Sequence, residues 1–331
     1  MLRLPAFEFQ PARSVDHAVA LLTAHGNNAL LVAGGTDLYA NMKLGLFAPH
    51  LVIGLRSIAE LRTIRFDPQR GLRIGALCTL DAVARDPAVA LHYPALARAA
   101  AMVGTPEIRN MGTIGGNLCL ETRCNYYNQS AEWRKALGYC LKRDGDLCRV
   151  AVHSATCKAI NASDTAPVIQ AYDARISLVG PLGERNLAVR DFYQNDGARA
   201  NVKRADEILT EIFLPLPASG TRSTYRKLRL RNAFDFPLVG VAVTLATDAQ
   251  GTCTQARVVL GAVASAPFEV DAASSLLLGS NLGEEIAADA AEEVFKAGKP
   301  LENANASLLY RKRMLRVLAQ RALEDVSQPL Q

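Results

Sequence analysis

Apolar residues in the first third of the chain fall into short runs that stop at glycine. Ala29-Leu-Leu-Val-Ala33 is unbroken, as a buried strand is, and ends at Gly34-Gly35-Thr36-Asp37. Leu51-Val-Ile-Gly54 and Leu72-Arg-Ile-Gly-Ala76 repeat the pattern. Between these runs the spacing lengthens to a helical period. Ser14 to Ala24 reads as an amphipathic helix with Ser14 as its N-cap. Leu38, Met42, Leu44 and Leu46 predict a helix beyond the glycine turn, and another starts at Thr79 and passes Val83. Strands alternating with helices make an α/β pattern.

The later chain is punctuated differently. Glu207-Ile-Leu-Thr-Glu-Ile-Phe-Leu-Pro215 reads as a strand, and Pro215-Leu-Pro-Ala-Ser-Gly220 after it is the clearest boundary. Leu238–Leu245 and Ala256–Leu260 flank the turn Asp248-Ala-Gln-Gly251 and predict an antiparallel hairpin. Helices are expected around Glu284–Lys296 and Ser307–Leu323. This gives a first domain over 1–216 and a compact α+β domain over 221–331, with no internal repeat.

Composition narrows the picture slightly. The 331 residues are 50% hydrophobic and 21% charged, an ordinary globular profile. The 37 basic and 32 acidic residues leave +5, too little to specify a partner. Arg222, Arg226, Lys227, Arg229 and Arg231, and then Arg311, Lys312, Arg313 and Arg316, read as solvated faces. No nucleic-acid module or aromatic interleaving accompanies them. Met1-Leu-Arg-Leu-Pro-Ala6 lacks the apolar core of a leader, and no run reaches the roughly 18 apolar residues of a membrane span. A cytoplasmic protein with reduced thiols is expected.

Two glycine turns are candidate ligand cradles. Gly34-Gly35-Thr36-Asp37 lies between strand and helix, where amides suit an anion such as a diphosphate; Thr36 could add a hydroxyl and Asp37 a capping carboxylate. It is not the Gly-x-Gly-x-x-Gly fingerprint, so a Rossmann domain is not indicated. The second turn, Arg109-Asn-Met-Gly-Thr-Ile-Gly-Gly-Asn117, brings Gly115 and Gly116 together with Thr113 and Asn117. Two such turns could close on one extended dinucleotide. A purely structural role for either stays open.

The seven cysteines are unevenly placed, with five between positions 119 and 157. The spacing Cys124-x15-Cys140-x7-Cys148-x8-Cys157 lacks the Cys-x-x-Cys pairs of zinc ribbons and the tight runs of bacterial ferredoxins. Four thiolates on one loop can still hold a [4Fe–4S] cluster or a zinc ion, and free thiols are the third reading. Tyr126, Tyr127, Trp133 and Tyr139 could shield such a site, since few aliphatic residues accompany the cysteines. Cys119 reads as a packing residue, and Cys78 and Cys253 as structural. His17, His25, His50, His92 and His153 form no ligand set, and no acid–base catalyst is assigned.

Leu31-Val-Ala-Gly-Gly-Thr-Asp-Leu38, Met42-Lys-Leu44, Ile74-Gly-Ala76, Thr113-Ile-Gly-Gly-Asn117 and Ser163-Asp164 before Pro167 resemble, in order, the FAD-binding subunit of the molybdenum hydroxylases. That family includes xanthine dehydrogenase and carbon monoxide dehydrogenase. Glu207-Ile-Leu-Thr-Glu211 and the helix at Tyr310-Arg311 extend the match. The resemblance implies an α+β protein: a vanillyl-alcohol-oxidase (PCMH)-type FAD-binding domain of two α/β subdomains, then a small C-terminal domain of the CO dehydrogenase flavoprotein type. It implies FAD diphosphate held by Ala33, Gly34, Gly35, Thr36 and Asp37 and by Thr113, Gly115, Gly116 and Asn117, chiefly through backbone amides. Asp164 would bond the ribityl region, and Lys227 would lie near the flavin. Without the resemblance, Asp164 reads equally as a helix N-cap.

Most members of the family join the Gly-Gly-Asn turn to the Ser-Asp segment by a short loop, so residues at about 119–160 look like an insertion. The resemblance then implies an electron conduit. Ferredoxin would reduce a [4Fe–4S] cluster on Cys124, Cys140, Cys148 and Cys157. Electrons would pass to FAD, to a [2Fe–2S] subunit and to a molybdopterin-containing subunit, in a dimer of heterotrimers. A conventional subunit passing electrons outward to NAD or oxygen, and a zinc-stapled scaffold, are the alternatives.

Overall fold

The computed structural model describes residues 3–231 and 233–327. Met1 and Leu2, at the head of the stretch read above as lacking a leader, and 328–331, at the end of the expected C-terminal domain, lie outside them.

The first glycine turn leaves the edge of a three-stranded parallel sheet. Leu51–Gly54 is its centre, flanked by Glu8–Pro11 and Ala29–Val32. Ile53 and Val52 are fully buried, so the central strand has no polar face, as the unbroken apolar run predicts. The helix Val15–His25 covers this sheet with Ala18, Val19 and Leu22, and Ser14 accepts from the His17 amide at 3.1 Å.

Leu72-Arg-Ile-Gly-Ala76 does not continue that sheet. Gly71–Gly75 joins a five-stranded antiparallel sheet with Ile64–Asp67 on one side and Ile208–Pro215 on the other. Arg175–Gly180 and Gly183–Ala188 complete it. Its pairings span over a hundred residues, beyond what local pattern can show. Short helices, among them Leu80–Arg85, Pro94–Ala101 and Thr165–Ala171, fill the main core against it.

The hairpin Val239–Thr247 and Cys253–Gly261 forms as expected and sits in a four-stranded antiparallel sheet with Thr221–Leu228 and Phe268–Glu269. Val239, Val241, Val243 and Leu245 face the helices Asp271–Leu277, Glu284–Ala297 and Leu308–Ser327. Ala242 and Val259 point the other way, into the main core beside Ala166 and Ile169. Burial on both sides explains why the strand reads as continuously apolar.

The solvated reading of the basic runs fails at two positions. Lys227 and Arg311 are fully buried side chains. Arg311 donates to the carbonyls of Leu238 (3.0 Å), Leu301 (2.6 Å) and Ala262 (2.8 Å). Burial pulls its pKa down to about 10. A helical period alone cannot show this, because the loops that supply the carbonyls are distant in sequence. Among the described residues no helix is long and apolar enough to cross a membrane.

Candidate functional site

The fold presses the two glycine turns together. A Cβ on Gly34 would collide with the Met111 carbonyl, so only glycine admits this crossing. Thr36 Oγ1 lies against Gly112 in the same contact. A Cβ on Gly115 would stand 2.6 Å from Ala76 Cβ, and this brings the second turn against the Gly71–Gly75 strand end.

The turns differ in what their amides do. In the second, Ile114 donates to Cys78 O, Gly115 to Ala76 O and Asn117 to Thr113 O, each at 2.9 Å. Gly116 donates to Thr113 Oγ1 at 3.1 Å, so Thr113 caps the short helix Ile114–Leu118. All four donors are engaged. In the first, the strand edge ends at Val32, and among the described residues the amides of Gly34, Gly35, Thr36 and Asp37 have no acceptor. Asp37 stands at the N-cap position of the helix Leu38–Lys43 but makes no capping bond. Its Oδ2 accepts from the Glu121 amide at 3.1 Å, and Arg123 lies 3.8 Å from Oδ1. Burial raises its pKa, opposed by the Glu121 amide and by Arg123.

Asn117 ties the second turn to the next segment. Its Oδ1 accepts from Ser163 Oγ and Thr165 Oγ1, both at 2.7 Å, deep inside the protein. Asn161 Nδ2, buried nearby in sequence, has no partner. Asp164 is no side-chain cap either. Tyr225 Oη donates to Oδ1 at 2.8 Å and Lys227 Nζ to Oδ2 at 2.7 Å. Lys227 also donates to Met102 O at 3.0 Å. Burial pushes the Asp164 carboxyl up, and Lys227 and Tyr225 hold it down. Tyr225 and Lys227 lie on the strand Thr221–Leu228, so this knot joins the first domain to the second. Sequence reading missed Tyr225, which carries no local signal.

The insert borrows its core. Cys124 and Cys157 pack with Leu46, Tyr127 and Ala159, and Leu44 and Phe47 close the edge. Leu44, Leu46 and Phe47 come from the loop after Leu38–Lys43, just beyond the first turn. Arg134, buried in the insert, donates to Leu44 O at 3.1 Å and Gly45 O at 3.0 Å. Of the expected aromatic shield, Tyr127 is buried, whereas Trp133 is 39% exposed.

Cys124, Cys140, Cys148 and Cys157 are all buried. Cys124 is pushed up to about 11, first by burial and also by Cys157 and Cys140. Cys157 is raised by burial and feels Cys148 and Cys140. Cys124 and Cys157 thus share one cluster, and the charges of Cys140 and Cys148 reach it. Among the described residues no three His, Cys, Asp or Glu side chains are grouped to hold a metal ion. Cys119 stands apart, against the main core. Cys78 donates to Thr63 O (3.4 Å) and Cys253 to Gln255 O (3.2 Å), both buried. The insert is anchored at its roots. Asn125 donates to Asn303 O at 3.0 Å, Asn303 Nδ2 to Lys158 O at 2.6 Å, and Ser265 Oγ to Cys157 O at 3.1 Å.

A parallel strand edge whose amides lack acceptors among the described residues, with a second glycine turn locked against it, makes a cradle suited to an extended anionic ligand. Residues 5–217 match the FAD binding domain in molybdopterin dehydrogenase, and residues 223–326 match the CO dehydrogenase flavoprotein C-terminal domain. The carbon monoxide dehydrogenase medium chain of Afipia carboxidovorans is 30% identical over 96% of each chain. The aldehyde oxidoreductase FAD-binding subunit PaoB of Escherichia coli is 32% identical over 83% of this chain and 86% of its own. Reconstituted CO dehydrogenase from Oligotropha carboxidovorans superposes with a TM-score of 0.81 at 27% identity, over 98% of this chain and 99% of that one. The chain belongs to the FAD-binding subunits of the molybdenum hydroxylase family. It is an oxidoreductase subunit whose cofactor is FAD.

Proposed function

We propose that this chain is the flavin and [4Fe–4S] electron-transfer subunit of a molybdenum-containing 4-hydroxybenzoyl-CoA reductase, a protein that its cysteine-bearing insert resembles. The observation that supports it is the packing of Cys124 and Cys157 into one buried cluster with Leu46, just beyond the first glycine turn, with Cys140 and Cys148 buried on the same insert.

FAD supplies one- and two-electron chemistry when bound. The free amides of Gly34, Gly35, Thr36 and Asp37, with Ala33 before them, offer its diphosphate an unspent donor set. Thr113, Gly115, Gly116 and Asn117 form the opposing wall. The amides of Gly115, Gly116 and Asn117 are committed, so their part is shape, together with the Thr113 and Asn117 side chains. Asp164, held by Tyr225 and Lys227, would offer its remaining lone pairs to the ribityl hydroxyls, with Lys227 fixing its charge. The partnerless Asn161 Nδ2 is a further donor for the ligand.

Four buried thiols on one insert could serve a cube or a zinc ion, and the two differ in the spacing they demand. A tetrahedral zinc with Zn–S near 2.3 Å draws its sulfurs to about 3.8 Å of one another. A [4Fe–4S] cluster takes one cysteine per iron and spaces them farther apart.

Ferredoxin in a reducing cytoplasm would deliver electrons to the insert. They would leave through FAD toward a [2Fe–2S] subunit and a molybdopterin-containing subunit, assembled as a dimer of heterotrimers. There 4-hydroxybenzoyl-CoA, two electrons and two protons give benzoyl-CoA and water. One observation favours a second reading, a conventional subunit passing electrons outward to NAD or another acceptor: the matched relatives include carbon monoxide dehydrogenase medium chains.

Anaerobic purification followed by iron, sulfide, zinc and flavin assays separates these. About four irons, matching sulfide and one FAD per chain are expected. FAD without metal would favour the conventional subunit. One zinc and no sulfide would sink the cluster and leave a zinc-stapled loop.

A further inference from the structure

The helix behind the first glycine turn is held at both ends by the insert. Leu38–Lys43 has six residues, too few to be stable alone. At its near end the Asp37 carboxylate accepts from the Glu121 amide at 3.1 Å and stands 3.8 Å from the Arg123 guanidinium. Glu121 and Arg123 open the insert. At its far end the chain turns at Gly45, with φ +67°. A Cβ there would lie 3.6 Å from Ala131 Cβ and 3.8 Å from Arg134 Nη2, so the insert helix Ala131–Ala136 packs directly on the turn. Leu46, fully buried, then enters the cluster of Cys124, Tyr127, Cys157 and Ala159.

Arg134, buried in the insert, closes this far end. Its Nη1 donates to Leu44 O at 3.1 Å and to Gln129 O, and its Nη2 donates to Gly45 O at 3.0 Å. A rigid planar fork that grips backbone carbonyls from two loops fixes those loops in one register. Met42, also buried, lies under the same helix against Val52 and Val32, the last residue of the strand that leads into the first turn. A shift at Gly45 is therefore carried through one short helix to the amides of Gly34 to Asp37.

We propose that Arg134 is a positioning residue for FAD: by fixing the Leu44–Gly45 end of this helix it holds the first turn in its binding geometry, so the seating of the insert sets how tightly FAD binds. This rests on the reading that the amides of Gly34 to Asp37 hold the FAD diphosphate. A cradle that must be ordered on binding holds its ligand more weakly than one already in place. The coupling is reciprocal, so FAD steadies the insert as the insert steadies the turn.

The test uses the protein purified with its companion subunits and freed of flavin. Flavin fluorescence titration gives the Kd, and hydrogen exchange read by mass spectrometry follows segments 34–37 and 131–136 with and without FAD. In the wild type FAD should slow exchange in both. Arg134→Met should weaken FAD at least tenfold. At saturating FAD it should keep the protection at 34–37 and lose it at 131–136. Arg134→Lys, a point charge that cannot span all three carbonyls, should fall between. Lys135→Met, exposed on the same short helix, should match the wild type. A folded Arg134→Met protein with the wild-type Kd, or one whose insert FAD still protects, overturns the proposal. Should that variant not fold, Arg134→Lys decides, and a wild-type Kd there overturns it. No protection by FAD at 34–37 in the wild type would instead sink the reading beneath.

Discussion

The two glycine turns are built from nearly the same residues and do opposite work. Gly34-Gly35-Thr36-Asp37 leaves the edge of a parallel sheet with its amides unspent. Thr113-Ile-Gly-Gly-Asn117 uses every amide from Ile114 to Asn117 within the chain. Gly34 lets the first turn cross the Met111 carbonyl and Gly115 lets the second lie on Ala76, but only the first leaves its amides without an acceptor among the described residues. A glycine-rich turn is therefore a donor set only where no carbonyl is already opposite it. Here the strand pairing decides, because the edge strand Ala29–Val32 has one neighbour and the strand Gly71–Gly75 is paired on both sides.

The largest effect is expected on the locked side. Lys227→Met leaves the Asp164 carboxylate buried without its cation and should cost about 3–5 kcal/mol in denaturant unfolding. Adding Asp164→Asn should restore most of that loss. A single variant as stable as the parent would show that the knot does not hold the domains together.

Gly34→Ala should cost about 3 kcal/mol by forcing the turns apart and should release FAD during gel filtration. Gly116→Ala, where a Cβ would meet only Thr113 Oγ1 at 3.0 Å, should cost under about 1 kcal/mol. Equal losses in both would erase the distinction between the turns. Thr113→Ala should remove about 1 kcal/mol of capping and weaken FAD by less than tenfold, because the amide it frees adds a donor. A loss of FAD beyond a hundredfold, measured by flavin fluorescence titration, would move the principal diphosphate site to the second turn.

The smallest effect concerns pH. Burial raises the Asp37 pKa above 3.8, so the folded chain keeps a proton that the unfolded chain releases. The stability from this is full below pH 3.8 and is lost as pH rises through the folded value. Asp37 keeps 34% of its side-chain surface in water, which screens the shift. Asp37→Asn should flatten the stability curve just above pH 3.8 and slightly raise the plateau near neutrality, since a neutral amide has no charge to bury. An unchanged curve would mean that the carboxyl ionises as it does in the unfolded chain.

Much of the architecture is written locally. Ser14 and Thr79 cap the helices that follow them, and the continuous apolar runs at Ala29 and Leu238 become strands, the second buried as its composition demands and the first a half-buried sheet edge. The crowding of cysteines between 119 and 157 is a sequence property, and so is the order of glycine motifs that carries the family resemblance. These features depend on neighbours a few residues apart, where dihedral preference and side-chain period act directly.

The rest was decided by packing. Lys227 and Arg311 look like members of solvated basic runs, yet distant carbonyls and a carboxylate close around them. Asp37 and Asp164 occupy cap positions in sequence but spend their oxygens across domains and on the insert, where partners from positions 121, 225 and 227 reach them first. Leu46 and Arg134 seat the cysteine loop against the first turn, a contact between segments some ninety residues apart. Sequence determined which residues could donate, ligate or carry charge. Only the tertiary structure determined which remain available, because a donor's availability depends on what long-range folding places opposite it.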